Sequence, residues 1–303
     1  MVRTIVNKFR FFKFLLSHPL TSECKMQTLA RFLRWQVSSR IALGSVAVRY
    51  VDETRLLVKP GMTGATMNVY AGLDEFEDMA FVLHILRSDD LFVDVGANIG
   101  SYTVLSGGAV GAKCISIEPI PGTFSHLMDN INLNCLVNKV TAMNIGVGRK
   151  NGCLSFTAGL DTVNHVATEA NPVGEIVSVP VRILDDVLRD ANPLLIKIDV
   201  EGYETNVIEG ASRVLSNPSL LSVLLELNGS GHRYGFDEGQ LHKVMLDYGF
   251  GTFRYLPFGR ALVPLNGKNQ ESGNTLYLRN LDKINERIVS SRRYYICGTN
   301  SYL

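Results

Sequence analysis

Short apolar segments alternate with helix-like segments through the middle of the chain. Continuous apolar runs predict strands, and apolar residues spaced three and four apart predict helices. The predicted strands are Leu91–Val95, Lys113–Ile117, Val140–Val147, Leu194–Asp199 and Leu221–Leu227, and the predicted helices are Ile99–Ser106, Thr123–Asn134 and Tyr203–Leu215. Strands that are apolar throughout suit a parallel sheet that is covered on both faces. The repeated strand–helix order therefore predicts a doubly wound α/β fold.

The flanking segments follow other patterns. Residues 1–40 predict one or two helices, 41–70 an extended and turn-rich stretch, and 74–86 a helix. Later elements are a β-hairpin insertion (Cys153–Thr157 with Ile176–Ile183), a helix over Asp237–Tyr248, and strands at Thr252–Leu256 and Thr275–Leu278. We therefore divide the chain into a basic N-terminal appendage (1–70), an α/β domain (71–280) and a C-terminal helix and tail (281–303).

Composition changes this picture little. With 46% hydrophobic and 19% charged residues, the chain can build a packed core. Its five cysteines form no metal-ligand spacing, so we expect buried structural thiols in a reducing compartment. The apolar run Phe11–Leu16 is interrupted by Lys13, is too short to span a bilayer, and has no cleavage site after it. We therefore expect a cytoplasmic protein.

Charge is unevenly distributed along the chain. Residues 1–60 carry 11 Lys and Arg against 3 Asp and Glu, whereas the remainder carries 19 against 26. Such asymmetry indicates either an anionic partner or a solvated basic helix that packs on an acidic body. No nucleic-acid motif accompanies it, so we expect no nucleic-acid partner. A peripheral membrane contact through the basic N-terminus stays open.

The turn after the first predicted strand carries the first chemical signal. Gly96 and Gly100 allow a ligand to approach the backbone, and the following helix start aims amides at it. The dinucleotide pattern GxGxxG is broken, because Asn98 and Ser101 stand at its second and third glycines. Asp94 just before the turn suits a cation, such as the sulfonium and ammonium of S-adenosylmethionine. The alternative is that this turn has only a structural role and binds no ligand.

Two further residues end the next predicted strands. Glu118 follows Asp94 by 24 residues, near the separation of about 20 at which an acid reaches ribose hydroxyls. Enzymes that bind nicotinamide cofactors share this feature, so it indicates a nucleoside without choosing between cofactors. Asn144 could read an adenine edge or cap the strand.

Three carboxylates surround the end of the fourth predicted strand. Glu204 lies at a helix start, where an acid is favourable for the helix dipole alone. Asp199 closes a buried strand where the ligand should bind, and a partly desolvated carboxylate can take a proton from a hydroxyl. Glu201 lies between them.

These segments together resemble the FkbM family of S-adenosylmethionine-dependent methyltransferases over roughly Phe92 to Leu227. The resemblance rests on DVGANIG (Asp94–Gly100), Glu118-Pro119, NINLN (Asn130–Asn134), Leu184-Asp185-Asp186, KIDVEGYE (Lys197–Glu204), Gly210 and LLEL (Leu224–Leu227). It implies a Rossmann-like class I methyltransferase fold and an enzyme that methylates a hydroxyl of a saccharide, glycolipid or small natural product. The cofactor-binding residues it implies are Asp94, Gly96, Ala97, Asn98, Gly100, Glu118 and Pro119, to which we add Asn144. Asp199 and Glu201 would face the donor methyl group.

Two polar loops are expected to shape the acceptor pocket. They are Asp161–His165 and Glu226–Gly235, and the expected acceptor-binding residues are Asn164, Asn228, His232 and Arg233. Glu226 and Glu201 would orient the acceptor. His165 or His232 could replace Asp199 as the base, although each histidine could equally be a plain loop residue.

Other interpretations remain. Carboxylates at Asp199, Glu201 and Glu226 could hold Mg²⁺, but no metal-loop spacing supports this and we predict no metal site. A nicotinamide-dependent oxidoreductase is the rival enzyme, and a non-catalytic binding module that docks through its basic N-terminus is the rival outside catalysis.

Overall fold

The computed structural model describes residues 11–42, 44–159, 163–167, 175–299 and 301–303. The helices are α1 (11–17), α2 (Lys25–Ile41), α3 (Thr63–Ala71), α4 (Phe76–Ile85), α5 (Ser101–Thr103, continued by π-helical Val104–Val110), α6 (Pro121–Leu133), α7 (Leu184–Leu188), α8 (Glu204–Glu209), α9 (Ser212–Ser216), α10 (Glu238–Asp247) and α11 (Leu281–Ser290). A 3₁₀-helix covers Ser230–Tyr234. The strands are β1 (Val46–Arg49), β2 (Arg55–Val58), β3 (Leu91–Val95), β4 (Lys113–Ile117), β5 (Val140–Met143), β6 (Gly146–Val147), β7 (Gly152–Ala158), β8 (Glu175–Arg182), β9 (Leu195–Ile198), β10 (Ser222–Glu226), β11 (Gly251–Leu256), β12 (Ala261–Pro264), β13 (Asn274–Leu278), β14 (Tyr295–Ile296) and β15 (Ser301–Tyr302).

One eight-stranded sheet organises the molecule, in the order β12-β11-β13-β10-β9-β3-β4-β5. The five strands from β10 to β5 are mutually parallel, whereas β13, β11 and β12 each pair antiparallel with their neighbours. Smaller sheets are β1-β2, β14-β15 and β6-β8-β7. The mostly parallel α/β fold with a hairpin insertion is confirmed.

The strands alternate between two apolar cores, one on each face of the sheet. On β10, Leu224 packs into one core while Val223 and Leu225 pack into the other. Burial on both faces explains why these strands read as continuous apolar runs.

Two predicted elements are wrong in their extent and one in its type. The strand predicted over Val140–Val147 is two strands, because β6 leaves the main sheet and pairs with β8. The helix predicted over Tyr203–Leu215 breaks into α8 and α9 at Gly210, where an added Cβ would lie 2.3 Å from the Gly148 carbonyl oxygen. Residues 63–71 form helix α3 instead of an extended stretch.

The N-terminal region packs on the α/β core. Leu56 and Val58 of β2 belong to the same apolar cluster as Phe92 of β3. Asn130 of α6 and Asn134, which directly follows α6, accept hydrogen bonds from the backbone amides of Leu57 and Arg55 of β2, through their side-chain oxygens at 2.7 and 2.8 Å. This contact gives the asparagines of the NINLN segment a structural role, while the domain boundary at residue 70 stays a prediction.

All five cysteines are free thiols. Cys114 and Cys297 are buried, but Cys135 and Cys153 are exposed, so burial was wrongly predicted for those two. Among the described helices, none is both long enough and apolar enough to cross a membrane.

Candidate active site

A cavity of about 340 Å³ opens where the parallel strands end. One wall comes from the turns after β3, β4, β9 and β10, and we call it the strand-end wall. The opposite wall comes from residues 62–79 together with Tyr102, and we call it the helical wall. Phe156 and Asn164 of the hairpin insertion also line the cavity. This position agrees with the rule that ligands bind beyond the carboxyl ends of the strands.

The turn after β3 requires glycine at its start. Gly96 has a φ of 80°, and an added Cβ would lie 1.8 Å from the backbone oxygen of Asp199. Asn98 and Gly100 also adopt positive φ values, of 52° and 92°. The turn therefore fits closely against the end of β9, and a side chain at Gly96 would force the two apart.

The backbone amides of this turn already have partners. The amides of Gly96 and Ala97 both donate to the Ile117 oxygen, at 3.0 and 2.9 Å. The amide of Asn98 donates to Glu118 Oε2 at 3.0 Å, and that of Gly100 to the Ala97 oxygen at 2.9 Å. These four amides are therefore bonded within the protein, and the turn contributes shape to the cavity.

Glu118 lines the cavity and joins two turns. Its carboxylate accepts hydrogen bonds from the amides of Asn98 and Ile120, at 3.0 and 2.9 Å. Burial raises its pKa to about 7. Asn144 donates from Nδ2 to the backbone oxygens of Glu118 and Pro119, at 2.8 and 2.9 Å. Asn144 does not line the cavity, so the structure favours the strand-capping role over adenine recognition.

Asp94 is placed differently from the prediction. It is fully buried and does not line the cavity, and its Oδ2 accepts a hydrogen bond from Thr103 Oγ1 at 2.8 Å. Its Cα pairs in register with that of Lys197 on β9. Asp94 therefore lies beneath the cavity and is not part of its lining.

Lys197 is the buried cation of the site. Its Nζ lies 2.7 Å from Asp199 Oδ2 and 5.0 Å from the centre of the Tyr102 ring. Burial would lower the pKa of Lys197, but the charges of Asp199, Asp94 and Glu75 raise it above its usual value. The ion pair fixes the orientation of the Asp199 carboxylate.

Three carboxylates converge beside this ion pair. Oxygens of Asp199, Glu201 and Glu226 all lie within 4.8 Å of one another. Burial and then the charge of Asp199 raise the pKa of Glu201 to about 7 and that of Glu226 to about 10. Burial and the neighbouring carboxylates therefore favour the protonated form of Glu226, which can donate a hydrogen bond.

Glu204 supports the turn between β9 and α8. Its Oε1 accepts hydrogen bonds from the amides of Val200 and Gly202, both at 3.1 Å. Those contacts agree with the structural role considered for it.

The loop residues expected to bind an acceptor reach the cavity only in part. Asn164 lines it, while Asn228 donates from Nδ2 to Glu226 Oε1 at 2.8 Å and so holds a lining residue.

His232 is exposed, and Arg233 Nη1 donates to the Glu201 backbone oxygen at 3.0 Å. His165 pairs its ring Nδ1 with the Val163 oxygen at 2.8 Å. Neither histidine lines the cavity, which disfavours both as the base. Asp161 and Thr162 lie outside the described residues.

Sequence reasoning missed the helical wall. Tyr102 donates its hydroxyl to Glu75 Oε2 at 2.7 Å, and Asn274 Nδ2 donates to Glu75 Oε1 at 2.8 Å and to Asp78 Oδ2 at 3.0 Å. Burial, then the charge of Glu75, raises the pKa of Asp74 to about 7. The available signal was the acid-rich run DEFED over 74–78, which marks a helix start equally well.

Acidic residues dominate the cavity. Among its lining residues, Lys197 is the single basic side chain. The carboxylates that line it are Asp74, Glu75, Glu118, Asp199, Glu201 and Glu226. An excess of carboxylates at low dielectric attracts a cationic ligand and repels an anionic one.

Comparison with known proteins identifies similar chains. The methyltransferase FkbM domain model matches residues 94–251, slightly more than half of the chain. The hexuronic acid methyltransferase AglP of Haloferax volcanii is 26% identical over 155 residues, covering 49% of this chain and 61% of that protein. Methyltransferase sdnD of Sordaria araneosa is 30% identical over 169 residues, covering 45% of this chain and 65% of that protein. The chain thus spans less than two thirds of the length of these relatives. A crystal structure of an O-methyltransferase from Thermotoga maritima is 11% identical, with a TM-score of 0.38 over 73% of this chain and 71% of that chain.

Proposed function

Because this chain belongs to the FkbM methyltransferase family, we propose that it transfers a methyl group from S-adenosylmethionine to a hydroxyl oxygen of a saccharide, glycolipid or small natural product. The observation that carries the proposal is the charge of the cavity, where five carboxylates besides Glu226 face one lysine. The donor has a sulfonium and an ammonium, so this lining favours it.

The rival nicotinamide cofactor fits the same cavity poorly. Its pyrophosphate is anionic and needs unpaired backbone amides, as a helix start usually offers. Here the amides of Gly96, Ala97 and Asn98 are already bonded within the protein. The cofactor residues we propose are Glu118, which faces the cavity and can accept from ribose hydroxyls, and the turn from Gly96 to Gly100, which shapes the contact surface.

The strand-end carboxylates supply the groups that act on the acceptor. When bound, S-adenosylmethionine would supply a methyl group from its sulfonium, and the C–S bond that breaks would leave a neutral thioether. Asp199 would accept the proton of the acceptor hydroxyl, and Glu226 and Glu201 would orient the acceptor by hydrogen bonds. Alignment can contribute up to about 7–11 kcal/mol, and a positioned base about 10²–10⁴-fold in rate.

A saccharide is the favoured acceptor. AglP is named for acting on a hexuronic acid, and it aligns with about half of this chain. The hairpin side of the cavity combines the aromatic side chains of Phe156 and Tyr203 with the amide of Asn164. Apolar walls with a few polar groups are typical of small-molecule sites.

A magnesium-assisted reaction is the alternative for the same carboxylates. The spacing of Asp199, Glu201 and Glu226 would suit a divalent cation. Lys197 already occupies one side of Asp199, however, and supplies positive charge there. We therefore expect the turnover rate to be unchanged when EDTA is added.

Calorimetry and a transfer assay test the proposal. The purified chain is titrated with S-adenosylmethionine, S-adenosylhomocysteine and NAD, and methyl transfer is measured to an oligosaccharide that ends in an uncharged hexose, since the acidic cavity disfavours an acceptor with a carboxylate. We expect binding of the first two ligands, none of NAD, and a methylated product. Absence of affinity for both adenosyl ligands would contradict the proposal.

Replacing Asp199 with Asn tests the base. We expect kcat to fall by about 10²–10⁴-fold, because the amide cannot accept the proton. The Kd for S-adenosylmethionine should change far less than kcat. Asp247→Asn, an exposed position at the end of α10, is the matched control and should leave both values unchanged. Full turnover by the Asp199 variant would remove Asp199 as the base.

A further inference from the structure

The outer face of helix α2 carries an exposed apolar stripe. Its residues follow one another at intervals of three and four, which places them within a sector of about 120° on the helix surface. They are Met26 (79% exposed), Leu29 (39%), Leu33 (55%), Val37 (58%) and Ile41 (74%). Within the described residues, no other element covers this stripe, which is larger than the scattered apolar side chains usual on a surface.

The inner face of α2 is fixed to the protein. Trp35 is buried, and the ring of Phe32 lies 5.1 Å from that of Tyr70 on α3. Gln36 Nε2 also donates to the Tyr70 hydroxyl at 2.8 Å. These contacts set the rotation of the helix, so the stripe faces outward because the opposite side is already packed.

Positive charge accompanies the stripe. Helix α2 contains Lys25, Arg31, Arg34 and Arg40 and no acidic residue. Lys25 and Arg34 are exposed at the two margins of the stripe.

We propose that this face of α2 docks on an anionic membrane surface. An interfacial helix buries its apolar side chains among the lipid headgroups while Lys and Arg at its margins contact lipid phosphates. Charge complementarity favours lipid over a second copy of the chain, because two such faces would bring basic residues together without an acidic partner. The docking is distinct from methyl transfer and does not depend on it.

Docking would place the cavity close to the lipid. Helix α2 packs on α3, and Met67 and Asn68 of α3 belong to the helical wall of the cavity. An acceptor presented at the membrane surface would therefore be near the site.

Vesicle flotation tests the proposal with the full chain. The vesicles contain phosphatidylcholine alone or phosphatidylcholine mixed with phosphatidylglycerol. We expect at least about tenfold tighter binding to the mixed vesicles, weakened by added salt. The double variant Leu33→Glu/Val37→Glu should lose at least about tenfold in affinity for them.

A matched variant controls for a general effect of added charge. Val289→Glu replaces another exposed valine, 66% exposed on α11, and should bind vesicles like the unmodified chain. Trp35 is the sole tryptophan, so its fluorescence reports whether α2 stays packed in each variant. Affinity for S-adenosylmethionine should be the same in all variants.

Three results would overturn the proposal. The first is equal binding of both vesicle types, and the second is unchanged binding by the double variant with Trp35 fluorescence retained. The third is a dimer in analytical ultracentrifugation that the double variant dissociates while neither form binds vesicles, which would make the stripe a contact between copies.

Discussion

The two walls of the cavity are built in different ways. On the strand-end wall, each turn begins where a parallel strand stops, and the register of β3 with β9 pairs Val95 with Ile198. On the helical wall, Glu75 is positioned by the side chains of Tyr102 and Asn274, the latter 199 residues away in the chain. Backbone register thus sets one wall and side-chain hydrogen bonds between distant segments set the other. We therefore expect a substitution in the strand-end wall to cause a large loss of ligand affinity, and a substitution in the helical wall to cause a smaller one.

Gly96→Ala should produce the largest effect. The new Cβ would lie 1.8 Å from the Asp199 backbone oxygen, at a φ of 80° that alanine rarely adopts. The turn must then move away from β9, and we expect affinity for S-adenosylmethionine to fall at least about 100-fold, together with a loss of stability of several kcal/mol. Calorimetry and thermal unfolding measure the two effects.

Gly122→Ala is the matched control for this change. Gly122 lies in the first turn of α6, and nothing stands within 4 Å of its added Cβ. Because alanine favours a helix over glycine, we expect unchanged ligand affinity and a gain of up to about 1 kcal/mol in stability. If both alanine variants bound the ligand equally well, the strand-end wall would not depend on its backbone contact.

The same distinction explains what the sequence could predict. The bounds of β3 and β4 agree with their apolar runs, because a strand buried on both faces leaves an uninterrupted signal. The turns that hold Gly96 and Glu118 follow directly from those bounds. The helical wall left no comparable signal, since the contact of Asn274 with Glu75 depends on where β13 pairs.

Some side chains have a different place in the site from the one predicted by their position in the sequence, because they are buried. Asp94 was expected to touch the ligand, but its side chain points into the core that contains Thr103. Lys197 stood within a recognised segment without a predicted role, although it neutralises Asp199. A strand sequence alone does not say which face carries the ligand.

Glu75→Gln should have an intermediate effect and tests the helical wall. The variant removes one negative charge from the cavity and places an amide near the donors Tyr102 and Asn274. We expect affinity for S-adenosylmethionine to fall about tenfold, which corresponds to about 1.4 kcal/mol. Glu77→Gln is the control, since Glu77 pairs with Arg254 and does not line the cavity. If Glu75→Gln lost as much affinity for S-adenosylmethionine as Gly96→Ala, the two walls would not differ in their response to substitution.

The pH dependence of binding should be the smallest effect, and both walls contribute to it. Burial raises the pKa of Asp74 on the helical wall, and of Glu118 and Glu201 on the strand-end wall, to about 7. A cationic ligand stabilises the ionised carboxylates, so binding releases protons and affinity rises with pH. We expect about a threefold gain between about pH 6 and 7 for S-adenosylmethionine, as partial release of one proton requires. S-adenosylhomocysteine lacks the donor methyl group and with it the sulfonium charge, so its affinity should rise less. If the affinities of the two ligands changed with pH in parallel, the carboxylates would not interact with the sulfonium charge. The acidic residues of both walls would then not account for the affinity for S-adenosylmethionine.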